Sequence, residues 1–283
     1  MHLLTVRCRD IIVLQGAPLM GVAFAAPVFA KFTFFDVAVL LLANLLLLIH
    51  IFSLNDWAGA SSDFGDPNKA YDTFLTRGIS KREMGFLSLI SGGLSLMTFS
   101  LLPMSTFVLA SAISLLGILY SHPNINGKAI PVFSSCLHLL GGTLHFLLGY
   151  SLFRGIDLRG MLISFFFAIV FTAGHLAQEV GDYESDIRSG ILTNGVKFGQ
   201  HRIFLISFIL FSLSFGYLWS LVWYGFVPAP LAYVLLLYPL QAALFWRAYS
   251  GGLTFNSINR LRFGYRLIYA GVGLAAITAL FFQ

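Results

Sequence analysis

"SLNDWAGASSDFGDPNK" (Ser53–Lys69) follows directly on a long apolar run and brings Asp56, Asp63 and Asp66 to its end. A carboxylate at hydrocarbon depth costs roughly 2.5–3.5 kcal/mol on insertion scales, so acids placed here call for a reason. A second acidic cluster, "QEVGDYESD" (Gln178–Asp186), ends another apolar segment far downstream.

The composition sets the frame for both clusters. Of 283 residues, 58% are hydrophobic and 10% charged, and the mean hydropathy is +0.84. These values exclude a soluble domain and mark an all-α integral membrane protein. Cys8 and Cys136 supply neither a disulfide framework nor metal-ligand spacing and read as small apolar residues. A crossing needs about 20 apolar residues. Charge-poor segments bounded by charge, Pro or Gly predict nine spans, near 11–30, 34–54, 84–103, 105–121, 129–153, 160–179, 203–224, 228–246 and 263–282. Pro103 and the pair Pro228/Pro230 supply breaks inside uncharged runs.

Basic residues follow this topology. Arg7 and Arg9, the connections holding Lys69, Arg77, Lys81, Arg82, Lys128, Arg188, Lys197 and Arg202, and the last one with Arg247, Arg260, Arg262 and Arg266 put fourteen on one side. Only Lys31, Arg154 and Arg159 fall on the other. The positive-inside rule then places the N-terminus and the acidic connections in the cytoplasm. It also accounts for a pI of about 9.3 without nucleic acid as a partner. The opening segment, with "AFAAP" (Ala23–Pro27), mimics a secretory signal, but the charge alternation is explained with that span retained.

Nine of the twelve Asp and Glu fall in or at the edge of two predicted cytoplasmic connections. If the sixth helix continues past the membrane, Glu179, Asp182 and Asp186 lie at i, i+3 and i+7 on one face. A solvated loop with i,i+4 pairing to Arg188 is the plainer reading. Two such clusters on one side favour a site. Oxygen donors without His or Cys beside them suit Mg²⁺ before Zn²⁺, with substrate phosphate completing the shell. Interleaved Lys69, Arg77, Lys128, Arg188 and Lys197 would neutralise phosphate oxygens that the metal does not reach. The residues alone therefore imply a membrane site for a Mg²⁺-complexed phosphorylated ligand.

At this level of detail the chain resembles the UbiA superfamily of intramembrane prenyltransferases. "NDWAGASSD" (Asn55–Asp63) is similar to that family's N-D-x-x-D-x-x-x-D signature, and "RGISKRE" (Arg77–Glu83) to its entry into the third helix. "YSHPNINGKAIP" (Tyr120–Pro131) resembles Y-S-x-P-P-x-R-x-K, and "DYESDIRSGILTNGVKFG" (Asp182–Gly199) the second acidic signature. The blocks occur in order and the resemblance covers essentially the whole chain. Gly59 stands where the first signature has its second Asp, a ligand that is missing or supplied by Asp66. Asn124 and Asn126 replace a Pro and an Arg, and Ser185 takes an often acidic position.

The resemblance implies a single domain over 1–283, nine helices in a ring around a central cavity, and cytoplasmic cap loops carrying the acidic boxes. It implies Mg²⁺-dependent transfer of a prenyl group from an allylic isoprenoid diphosphate, through an allylic carbocation, to a hydrophobic acceptor. An aromatic quinone precursor is the default acceptor, and membrane lipids are the surroundings. The expected ligands of two Mg²⁺ ions are Asp56 and Asp63, with Asn55 adjacent, and Asp182 and Asp186. Lys69, Arg77 and Lys128 are the expected diphosphate contacts, with Arg188, Lys197 and Tyr120 beside them. His138, His145 and His175 lie within spans and read first as helix-packing residues, second as acceptor contacts. A CDP-alcohol phosphotransferase would need one compact acidic block with D-G and A-R pairs, which the chain lacks. A transport or non-catalytic binding protein of the same fold is the remaining alternative.

Overall fold

The structure, a computed structural model, describes residues 8–26, 34–64, 66, 68, 70 and 73–282. Lys69, an expected diphosphate contact, lies outside the described residues, as do Arg7, Lys31 and Asp72. Among the described residues all regular structure is helical. The helices are α1 (Cys8–Leu14), α2 (Gly16–Ala25), α3 (Phe34–Phe64), α4 (Lys81–Phe99), α5 (Met104–Ser121), α6 (Phe133–Tyr150), α7 (Leu158–Arg188), α8 (Asn194–Phe198), α9 (Gln200–Trp223), α10 (Tyr238–Ser250) and α11 (Phe255–Phe281). Short 3-10 segments cover Gly127–Ala129 and Ala229–Leu237.

Among the described residues, six stretches are long and apolar enough to cross a membrane: Phe34–Ala60, Met104–Ser121, Leu158–Arg188, Gln200–Trp223, Ala229–Ser250 and Phe255–Phe281. They coincide with six of the predicted spans. The other three predicted segments fall on α1–α2, α4 and α6, which are helical but shorter or more polar.

The chain forms two compact units, Met1–Lys128 with Leu144–Ile156, and Ala129–Thr143 with Asp157–Gln283. In the first, the Leu- and Ala-rich sequence of α3 carries no proline or glycine before Gly59, so nothing interrupts the helix through its apolar length. Its main neighbour is α4, whose Ser88, Ser91, Gly92 and Ser95 are buried. Ser95 Oγ donates to Ala43 O at 2.9 Å, Ser88 Oγ donates to His50 O at 3.1 Å, and Gly92 sits against the His50 ring. Small residues let two backbones approach where lipid offers no hydrophobic drive between helices. This stripe also makes α4 the more polar of the pair.

Two glycines close the other side of this unit. A Cβ on Gly149, at the end of α6, would collide with the Pro18 carbonyl, and one on Gly21 would collide with Phe146 O. Beside them runs a polar chain. Gln15, between α1 and α2, accepts from Asn44 Nδ2 at 2.8 Å, and Asn44 Oδ1 lies 3.2 Å from His145 Nε2. These polar groups, taken out of water, thus find protein partners, as hydrocarbon favours.

In the second unit, α7 begins at an N-cap, Asp157 accepting from Gly160 N–H at 2.8 Å. It packs on α9 and α11 around buried Leu176, Val180, Phe204, Phe211, Phe245, Ile258 and Tyr265. Ser207 Oγ donates to Ala173 O at 2.8 Å, which holds α9 close to α7. Gln200 Nε2 donates to both Val180 O and Leu253 O, at 2.9 and 3.0 Å, tying the turn before α11 to the same end of the unit as the second acidic cluster.

The backbone contact at Gly149 cannot yield as a flexible side chain would. Gly149→Ala should therefore destabilise the protein by about 1–3 kcal/mol, read as a lower melting temperature in detergent. Gly141→Ala, where the added methyl meets nothing within 4 Å, should leave it unchanged.

Candidate functional site

The last turns of α3 carry Asn55, Asp56, Gly59 and Asp63. Steps of three and four place Asp56, Gly59 and Asp63 on one helix face. Asn55, Asp56 and Asp63 are half-buried. A small core of Ala60, Phe74 and Met84, with Trp57 against it, folds the following connection back onto this end of α3. Ser80 and Glu83 form a capping box: Ser80 N–H donates to Glu83 Oε2 at 2.7 Å and Glu83 N–H to Ser80 Oγ at 3.2 Å. Lys81 Nζ lies 5.2 Å above the Trp57 ring, and Arg77 stands exposed on the turn between Phe74 and Gly78.

The position lacking the expected acid is occupied in another way. A Cβ on Gly59 would lie 3.3 Å from Asp63 Oδ2 and 3.4 Å from Lys128 Nζ. The ammonium of Lys128 therefore borders the void that a side chain at position 59 would fill. It is delivered there by a turn in which His122 O accepts from Ile125 and Asn126 N–H, at 3.0 and 2.7 Å. Asn126 adopts φ +48°, a left-handed conformation that asparagine tolerates better than most side chains. An arginine at 126 would fit this turn less well. Tyr120, half-buried, sits one residue before the end of α5 and just ahead of the same turn.

Asp66 is buried and shapes the loop. Its Oδ1 accepts from Asn68 N–H at 3.0 Å, and its backbone carbonyl accepts from Ala70 N–H at 2.8 Å. These are the marks of an Asx turn.

The second cluster lies on an unbroken helix, since α7 runs on through Arg188. Glu179, Asp182 and Asp186 do share one face, but they divide by burial. Asp182 and Asp186 are half-buried, whereas Glu179 is 5% exposed and saturated with donors. It accepts from Asn194 Nδ2 at 3.1 Å, Gly195 N–H at 3.3 Å and Ser134 Oγ at 3.4 Å, and pairs with His175 Nε2 at 3.1 Å. Asn194 in turn accepts from Val132 N–H at 2.6 Å. This hub fixes the loop after α7. Gly190, at φ +66°, ends the helix there. Thr193 caps α8 and donates its hydroxyl to Asp186 Oδ2 at 3.1 Å.

Arg188 is half-exposed, 3.9 Å from Glu184 one turn back, so the plainer i,i+4 reading describes it well. Lys197 is exposed on α8, with Nζ 5.4 Å from the Phe198 ring. His138 stacks on His175 with centroids 3.7 Å apart and places Nδ1 2.9 Å from Ser134 O. The span histidines thus make the packing contacts expected of them. From sequence, Glu179 reads only as part of the acidic face, and neither Thr193 nor Asn194 receives a role. A carboxyl one turn before Asp182, followed by a Thr-Asn-Gly helix start, was the signal available.

The donor set suits Mg²⁺. Each helix end offers two carboxylates, and no group of three His, Cys, Asp or Glu able to hold a metal occurs among the described residues. Mg²⁺ needs only one or two carboxylates and completes its shell with water and phosphate.

No curated protein matches the chain significantly. Among solved structures, it is similar to a UbiA homologue from Archaeoglobus fulgidus bound to DMAPP and Mg²⁺, with TM-score 0.77 and 19% identity over 99% of each chain. The same homologue bound to GPP and Mg²⁺ gives TM-score 0.75 and 19% identity over 98% of this chain and 100% of that one. A structure concerning digeranylgeranylglyceryl phosphate synthase in membranes gives TM-score 0.70 and 15% identity over 100% of this chain and 98% of that one. At such identities these likenesses establish the fold. The family model for the UbiA prenyltransferase family matches residues 17–255, and the chain belongs to that family of prenyltransferases.

Proposed function

We propose that the protein transfers a prenyl group from an allylic isoprenoid diphosphate to a lipid-soluble acceptor, with Mg²⁺ as its metal. The observation that carries this reading is the pair of carboxylates at the end of α3, with Lys128 beside them, in a membrane chain of this family. The fold relative that binds DMAPP and Mg²⁺ supports the donor class. Asp56 and Asp63 are assigned to one ion and Asp182 and Asp186 to another. Thr193 orients Asp186, and Glu179 acts through the loop it anchors. Bound Mg²⁺ would supply the charge that draws off the departing diphosphate oxygens.

Ionisation breaks the bond between C1 and the ester oxygen, and its electron pair leaves with the diphosphate. The acceptor's nucleophilic atom then bonds to C1 and gives up its proton. Lys128, Lys69 and Arg77 are assigned to diphosphate oxygens, where fixed positive charge favours the leaving group as it forms. Arg188, Lys197, Tyr120 and Asn55 are assigned to the rim. Apolar surroundings protect the cation from water. The acceptor is assigned as an aromatic quinone precursor. A glycerol-based lipid, the class named for one fold relative, is the alternative outcome of the same assay.

We also assign one domain over 1–283 with nine crossings, counting α1–α2, α4 and α6, and cytoplasmic acidic connections. Reporter fusions should then report opposite sides for the two termini.

The decisive assay incubates purified protein with prenyl diphosphates and a native lipid extract and seeks a product heavier by one prenyl unit. Asp56→Asn and Asp182→Asn should each slow Mg²⁺-dependent diphosphate release at least about 100-fold while the melting temperature holds. Variants as fast as wild type would place the chemistry elsewhere. Lys128→Met should raise KM for the prenyl diphosphate about tenfold, the loss of one charge-assisted contact.

A further inference from the structure

The second unit carries a cavity of about 750 Å³ along the α10–α11 pair. Its two ends differ in chemistry. Toward the turn at 251–254 it is bordered by Arg247, Ser257 and Arg260, and away from that turn by Leu240, Leu244 and Leu267. No acidic residue lines it. Neither Arg247 nor Arg260 has an ion pair among the described residues, and both are exposed.

Gly264 and Gly271, seven residues apart on one face of α11, both line the groove. At Gly264 the space is taken by Leu244, whose Cδ1 lies 2.6 Å from where a Cβ would stand, whereas at Gly271 the nearest atom, Leu237 Cδ1, is 4.0 Å away. Leu240 and Leu267 are more than half exposed, so the channel is open along its apolar length.

Depth and length identify the occupant. Trp246 and Tyr249 flank Arg247 and are 70% and 51% exposed. Aromatic residues of this kind sit at the membrane–water interface, which sets the two arginines at headgroup level. From Arg260 to Gly271, α11 rises about 16 Å, close to one leaflet of a hydrocarbon core roughly 30 Å thick. The groove thus has the reach of one acyl chain below a doubly cationic mouth. The positive-inside rule explains why arginines occur on this side. It does not explain why two from different helices border one end of a single apolar groove.

We propose that this groove is a binding site for an anionic glycerophospholipid, separate from the prenyl-transfer residues. The phosphate lies between Arg247 and Arg260, and one acyl chain runs along Leu240 and Leu267 toward Gly271. The site goes beyond the proposed function, because none of its residues is assigned to that reaction.

The test uses full-length protein, delipidated in detergent, with native mass spectrometry of added phosphatidylglycerol or phosphatidylcholine. Wild type should retain phosphatidylglycerol about tenfold better than phosphatidylcholine, as two interfacial arginines warrant. The Arg247→Ala/Arg260→Ala double variant should lose that preference. Leu267→Trp, which fills the groove, should lose lipid of either kind. Mg²⁺-dependent turnover in detergent should remain within twofold of wild type in all variants. Equal retention of the two lipids by wild type, or an undiminished preference in the double variant, overturns the proposal. So does full displacement of phosphatidylglycerol by glycerol 3-phosphate, which would show a phosphate site without a tail site. Loss of turnover in the double variant would assign the groove to the prenyl diphosphate instead and also overturns it.

Discussion

Charge is expensive in hydrocarbon, and the placement of every acid near the proposed site follows from that cost. The apolar part of α3 extends to Ala60, yet Asp56 lies before that end and Asp63 just after it. On α7 the corresponding acids occupy the final turns. Carboxylates kept at these helix ends are half-buried, near water on one side and near the apolar interior on the other. A phosphorylated ligand with an oily tail spans the same boundary in one molecule.

Several polar groups deeper in the chain satisfy one another. The Ser/Gly stripe of α4, the Gln15–Asn44–His145 chain and the Glu179 hub each answer a buried donor with an acceptor. The last of these matters most for chemistry. Because Glu179 holds Asn194 and the Gly195 N–H, the loop that brings Thr193 to Asp186 does not depend on substrate for its shape. On the proposed assignment of Asp186 to Mg²⁺, such prearrangement would let the ion bind without first ordering the chain.

Hydropathy made the long apolar helices readable, and Pro103 stands at the start of α5 as its chemistry demands. The continuation of α7 entered only as the condition under which its acids share a face, and the helix meets that condition. Three features escaped linear reading because they depend on partners distant in sequence. The polarity of α4 is a property of its contact with α3, so a hydropathy window undervalues it. Glu179 has the spacing of a ligand, but α7 turns that residue into the interior beside Ser134 and Asn194. Burial separates it from Asp182 and Asp186, and no pattern of letters encodes burial at that resolution. The proximity of Lys128 to Gly59 likewise requires the turn set by Asn126.

That proximity couples two positions in heredity as well as in space. An aspartate arising at 59 by mutation would meet both the Asp63 carboxylate and the ammonium of residue 128. The family signatures pair an acid at the first position with a lysine at the second, so the consequence of either change should depend on the other.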